Sequence, residues 1–167
     1  NPVVKQKAKN NTLVFRFESE IQPVVPLKLK VEINCREHFN ILGLTKIGFD
    51  VNNQWFSDEC QVTTYLLDEL LGTKLRALYQ RRKGRDLYDL YKALSTTAVN
   101  ADSVVLCYNE YMKHSAVRPP SRNEFQRNLE RKMQDEDFLS DMNRLLRVGE
   151  QYDPQQAWEV GKSSLLD

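Results

Sequence analysis

Residues 73–91 read Thr-Lys-Leu-Arg-Ala-Leu-Tyr-Gln-Arg-Arg-Lys-Gly-Arg-Asp-Leu-Tyr-Asp-Leu-Tyr and hold most of the groups in this chain that could do chemistry. At about 100° per residue, Lys74 falls inside the arc spanned by Leu67, Leu71, Leu75 and Leu78. A lysine in such a stripe either lets its ammonium escape along the helix edge or meets an anion, and a phosphate is one such anion. Arg76, Arg81, Arg82, Lys83 and Arg85 place five cations within ten positions. Such a run is either a solvated helix end or a phosphate-binding patch. Arg81 stands one i+7 step from Lys74, so the two share a helix face.

Asp86 and Asp89, at i and i+3, open the following helix. They either complement its N-terminus and pair with neighbouring arginines, or act as the carboxylates of a metal or phosphoryl centre. Glu32 lies on the polar side of a strand between Lys28, Lys30 and Asn34. That face is either solvated or offers one oxygen ligand to Mg²⁺. Tyr79, Tyr88 and Tyr91 stand near the basic run at helical spacing, which suits core packing or stacking on bases. Two apparent motifs fail. Gly161-Lys162-Ser163 resembles the end of a phosphate loop, but Gln156 occupies the place of its first glycine and no strand precedes it. Asp135-Glu136-Asp137 falls between helices.

The elements that must position these groups follow from periodicity. Leu13, Phe15 and Phe17 alternate with polar or smaller neighbours as in a strand, and Pro23 and Pro26 interrupt the chain. Residues 27–34 alternate strictly, Leu27, Leu29, Val31 and Ile33 against Lys28, Lys30, Glu32 and Asn34. Two more strands are expected at 45–51 and 59–64, with a loop at 35–44. From Leu66 the period becomes helical. Gly84 separates a first helix from a second over 85–95, and a third is expected over 102–113. Ser121 and Glu124 form a capping box for a helix ending near Met133. A further helix is expected over 136–146, and Asp153-Pro154 starts a last one running to Leu165. The division is a sheet region at 1–65 and a helical region at 66–167.

Composition excludes several classes. With 167 residues and a net charge of +1, the chain can bury a core, and any nucleic-acid site must be a local patch. Three scattered cysteines and two isolated histidines argue against a disulfide framework or a structural zinc site, and for a reducing compartment such as the cytoplasm. No apolar run is long enough to span a membrane, and no secretory signal is visible.

Taken in order, three segments resemble the AbiEii/AbiGii toxin family of nucleotidyltransferases: Leu27-Lys-Leu-Lys-Val-Glu-Ile-Asn34, Thr73-Lys-Leu-Arg-Ala77 and Arg81-Arg-Lys-Gly-Arg-Asp-Leu-Tyr-Asp-Leu90. Pro120-Ser-Arg-Asn-Glu-Phe125, Phe138-Leu-Ser-Asp141 and Tyr152-Asp-Pro-Gln-Gln-Ala-Trp158 agree. The resemblance implies an α+β fold, the remnant of a polymerase-beta-like nucleotidyltransferase sheet followed by a C-terminal helical bundle. It implies metal-dependent transfer of a nucleotide from an NTP to an RNA acceptor, in some members the end of a tRNA. The setting it implies is a toxin–antitoxin or phage-defence system with a separate antitoxin protein.

By motif position, Glu32 becomes the strand acid near Mg²⁺ and Lys74 the contact to nucleotide phosphates. Asp86 and Asp89 become the acids of the last motif, with Arg81, Arg82 and Arg85 as further phosphate contacts. Lys83 stands where that motif is expected to carry arginine. The family's Gly-Ser and Asp-x-Asp motif does not precede Leu27, so the resemblance implies the C-terminal portion of a longer enzyme, inactive by itself. The competing reading is a non-catalytic helical module that binds RNA or an antitoxin through the basic run. A metal nuclease is a third, with one strand acid too few.

Overall fold

The structure is a computed structural model that describes residues 2–8, 10–35, 37–115 and 118–166. The fold is α+β, with two small antiparallel sheets and a helical bundle. By packing, the chain divides into Asn1–Phe39 and Asn40–Asp167.

The first unit is a three-stranded antiparallel sheet of β1 (Val3–Lys7), β2 (Asn10–Glu18) and β3 (Pro26–Asn34), with β2 in the middle. The register pairs Leu13 with Val31, Phe15 with Leu29 and Phe17 with Leu27. Every one of these side chains therefore lies on one face, together with Val4 and Ile33. The opposite face carries Lys5, Lys7, Arg16, Lys28, Lys30 and Glu32, and Val14 is the one residue on it that is buried. β1 was not expected from sequence, because Val-Val-Lys-Gln-Lys has no clean alternation and takes its conformation from pairing with β2. Pro26 begins an edge strand, where its missing N–H leaves no ladder bond unmade.

The second unit opens with a hairpin, β4 (Leu44–Asn52) and β5 (Ser57–Tyr65). At its turn the Asn53 side-chain oxygen accepts from the Trp55 and Phe56 backbone N–H groups at 2.9 and 3.0 Å. Six helices follow among the described residues: α1 (Leu67–Gln80), α2 (Gly84–Thr96), α3 (Ala101–His114), α4 (Arg122–Lys132), α5 (Glu136–Ser140) and α6 (Pro154–Leu165). Leu71, Leu75 and Leu78 of α1, Leu87 and Leu90 of α2, and Met112, Leu129, Phe138 and Trp158 form one buried cluster.

The expected caps are made. Glu124 N–H donates to Ser121 Oγ at 3.3 Å while Ser121 N–H donates to Glu124 at 2.6 Å. Asp153 accepts from Gln155 N–H at 2.9 Å. The expected helix at 136–146 is a correction: α5 stops at Ser140, and the chain continues as turns in which Asn143 N–H reaches Ser140 O and Leu145 N–H reaches Met142 O. Asp141 is drawn off instead to accept from Arg85 N–H at 3.2 Å, and Ser140, Asp141 and Asn143 are residues that favour turns over helix interiors.

Two glycines set how closely the helices meet. A Cβ on Gly72 would lie 2.6 Å from Cys107 Cβ, so its absence lets α1 touch α3. A Cβ on Gly84 would overlap the Phe138 carbonyl oxygen, so the turn between α1 and α2 admits no side chain where α5 crosses it.

Candidate functional site

The leucine stripe seats α1 against the bundle and carries Lys74 at its margin. The Lys74 ammonium lies 2.7 Å from Asp89 Oδ2 and 3.4 Å from Asp86 Oδ1. Gly84 opens α2 where the Phe138 carbonyl lies against it, and the first turn of α2 brings Asp86 back toward α1. Asp86 has no solvent exposure. Its carboxylate takes Arg81 Nε at 2.6 Å and Arg81 Nη2 at 2.7 Å, a bidentate pair. This hydrogen bonding to Asp86 raises the Arg81 pKa further above its ordinary value, against the opposing effect of burial. Four sequence-selected residues (Lys74, Arg81, Asp86 and Asp89) thus meet where α1 turns into α2. Two cations face two carboxylates, and the cluster is neutral overall.

Exposure grades the four. Asp86 is sealed, the Lys74 side chain is 30% exposed and Asp89 45%. Asp86 is therefore the anchor, and the Lys74–Asp89 contact is the part that an arriving anion could open.

Arg82 and Arg85 point elsewhere. Arg82 reaches Asp135 at 3.0 Å, and Arg85 Nε and Lys83 Nζ approach Asp141 at 3.9 and 3.6 Å. The basic run is thus tied to carboxylates flanking α5. Tyr79 stacks on Phe125 at 5.5 Å, and Tyr88 and Tyr91 pack on Tyr152 at 5.1 and 6.1 Å. These rings are bundle contacts.

Glu32 belongs to the first unit, where its carboxylate pairs with Lys30 at 2.7 Å and is 53% exposed. It could offer a single carboxylate to Mg²⁺, an ion that binds through few carboxylates, but only in competition with Lys30. Asp86 does not fit, because both of its oxygens are occupied by Arg81. Among the described residues no group of three or more His, Cys, Asp or Glu side chains is arranged to hold a metal.

Three functional-looking groups were not singled out from sequence. Glu69 is fully buried and accepts from Ile41 N–H (2.9 Å), Leu42 N–H (2.8 Å) and Tyr111 OH (2.7 Å). Its position in the first turn of α1 gave only the signal of a helix-dipole carboxylate. Lys132, at the end of α4, is 6% exposed and donates to the Leu78 and Tyr79 carbonyls, the latter at 2.8 Å. Burial pushes its pKa down to about 8, with Asp86 pulling upward and Arg82 downward. It thereby holds the last turn of α1 just before Arg81. Glu150 accepts from Tyr88 OH at 2.6 Å and Lys92 at 2.9 Å, and these bonds lower its pKa to about 2.

Residues 1–160 match the sequence model of a toxin family whose members are nucleotidyl transferases. That family is AbiEii, described as "Nucleotidyl transferase AbiEii toxin, Type IV TA system", and the chain belongs to it. Membership in a type IV toxin–antitoxin family implies an antitoxin as partner. No curated protein and no solved structure matched the chain. No helix among the described residues is long and apolar enough to cross a membrane.

Proposed function

We propose that the protein transfers a nucleotide from an NTP to an RNA acceptor such as a tRNA end, as a bacterial cytoplasmic toxin with its antitoxin and a role in phage defence. The observation that carries this reading is the Lys74 ammonium, held by exposed Asp89 at 2.7 Å beside the sealed Asp86–Arg81 pair. A triphosphate arriving at this cluster exchanges Asp89 for a phosphate oxygen at Lys74, while Asp86 keeps Arg81 and the end of α1 in place. Lys74 then faces the charge that develops on the transferring phosphoryl group, where a fixed cation lowers the barrier. Asp89, released from Lys74, becomes an exposed carboxylate at the same place. Glu32, on the first unit, is the carboxylate we assign to Mg²⁺, an ion that would supply charge neutralisation to phosphate chemistry. Arg82 and Arg85, fastened to Asp135 and Asp141, are assigned to the phosphates only if those pairs open.

The experiment is transfer of label from an α-labelled NTP to bulk RNA by the natural protein that carries this sequence, with wild type and Lys74→Met compared. The variant should fold normally and lose transfer by about 100-fold or more, the usual scale for one electrostatic group at a transition state. Undiminished transfer by Lys74→Met overturns the reading.

A further inference from the structure

The cations that dominate the sequence, in the run 81–85, are each held by a carboxylate. A second set of cations, mostly without such partners, lies on the polar face of the three-stranded sheet. On that face Lys5 and Lys7 stand on β1, Arg16 on β2, and Lys28 and Lys30 on β3, lining a shallow depression of about 330 Å³. All five are exposed. Among the described residues, only Lys30 of these five has an acidic partner, Glu32. Glu18 ends the same row beyond Arg16, so five cations meet two carboxylates. We propose that this face is a docking surface for the phosphodiester backbone of RNA.

Spacing and chemistry select that occupant. The register sets Arg16 beside Lys28 at one end of the face, and Lys7 beside Asn10 at the other. Those rows are six residue steps apart along β2, roughly 20 Å at 3.4 Å per residue. The charges therefore form two banks, Lys28, Lys30 and Arg16 at one corner and Lys5 and Lys7 at the diagonal one. A single triphosphate reaches one bank; a run of phosphodiesters reaches both. A protein partner would need apolar anchors to desolvate at the centre of its contact. The face offers only Val3, Pro26 and Val14 for that, Val14 already buried. It carries no aromatic ring on which a base could stack, so contact is through the backbone and is indifferent to sequence. The identity of the polyanion as RNA rests on the transfer reaction proposed above; the charge pattern does not.

The test is equilibrium binding of a labelled single-stranded RNA oligonucleotide across a salt series, without NTP or divalent cation, so that binding is read separately from transfer. Single strands lose affinity with a log–log salt slope of about 0.7 per phosphate neutralised. The triple variant Lys5→Gln, Lys7→Gln, Lys28→Gln should bind more weakly and show a slope shallower by about 2. The matching triple arginine variant, which keeps the charge, should retain wild-type affinity. Unchanged affinity and slope in the triple glutamine variant overturn the proposal. So does loss of binding in the arginine variant, or a glutamine variant that loses NTP or antitoxin binding but keeps RNA. If RNA binds by this face while no transfer is found, the surface stands and the transferase reading falls.

Discussion

Asp86 and Arg81 form a bidentate pair in which the carboxylate is sealed from solvent and the guanidinium side chain is 52% exposed. The asymmetry decides which partner matters more to stability. Removing Arg81 leaves a buried carboxylate with only Lys74, at 3.4 Å, to compensate it. Arg81→Met should therefore cost about 3 kcal/mol. Removing Asp86 leaves an arginine that can turn into water, and Asp86→Ala should cost about 1–2 kcal/mol. The double variant should be more stable than the sum of the singles implies. Urea denaturation of the three variants checks this; equal effects of the two singles would show that Asp86 is solvated after all.

Gly84 predicts a steric limit at the same turn. The nearest obstacle to a methyl group there is backbone, the Phe138 carbonyl oxygen, and backbone cannot rotate away. Gly84→Ala should destabilise by at least about 2 kcal/mol, through displacement of α5 from the turn. Gly161, where a Cβ would meet nothing within 4 Å beyond its own helix, is the control. Gly161→Ala, in the interior of α6, should be neutral or stabilising by up to about 1 kcal/mol. Thermal melts of the two variants should move in opposite directions or differ by many degrees.

Much of this architecture is written in period. The strict alternation at 27–34 fixes both the β3 span and which residues share the cationic face. The leucine spacing at 67–78 fixes the α1 face and puts Lys74 at its margin. Local rules also give the caps at Ser121 and Asp153. What period does not carry is long-range pairing. β1 exists because β2 is there to accept it. Glu69 is a buried receptor for Ile41, Leu42 and Tyr111, and Lys132 is a buried clamp on α1; both are charged residues whose partners are distant in sequence and mostly backbone groups. The basic run shows the same limit. Five cations in ten positions read as a patch, but the carboxylates that hold three of them, Asp135 for Arg82 and Asp141 for Lys83 and Arg85, arrive from about fifty residues further on.

Glu69 provides a sharp stability test. Three donors converge on a carboxylate with no solvent exposure. Glu69→Leu leaves two backbone N–H groups and a tyrosine hydroxyl without that acceptor, which should cost about 3 kcal/mol or more. Tyr111→Phe removes one bond and leaves the carboxylate its two backbone donors, so its loss should be nearer 1 kcal/mol. Amide exchange at Ile41 and Leu42 should accelerate in Glu69→Leu well before global unfolding, since these two N–H groups depend on that carboxylate directly. Protection that survives the substitution would assign the order of the 40–43 loop to something else.

Lys132 makes stability depend on pH in a direction opposite to that of a lysine whose pKa is raised by an ion pair. Its folded-state pKa lies at about 8, below the ordinary lysine value of 10.5, because burial disfavours the ammonium. Below about pH 8 the residue is protonated in both states, and the folded protein bears the full desolvation of a buried charge. Between about 8 and 10.5 the unfolded chain holds a proton that the folded chain has released. The unfolded state then binds more protons, and the free energy of unfolding rises with pH through that window. Lys132→Met has no such group, so wild type should gain stability relative to the variant as pH is raised from 7.5 to 10, measured by urea denaturation at each pH. The amine still donates to the Leu78 and Tyr79 carbonyls after losing its proton, so the last turn of α1, and with it Arg81, should stay in place. A difference between wild type and variant that is flat over the window, or that falls, would mean that Lys132 keeps its ordinary pKa and that Asp86 offsets its burial.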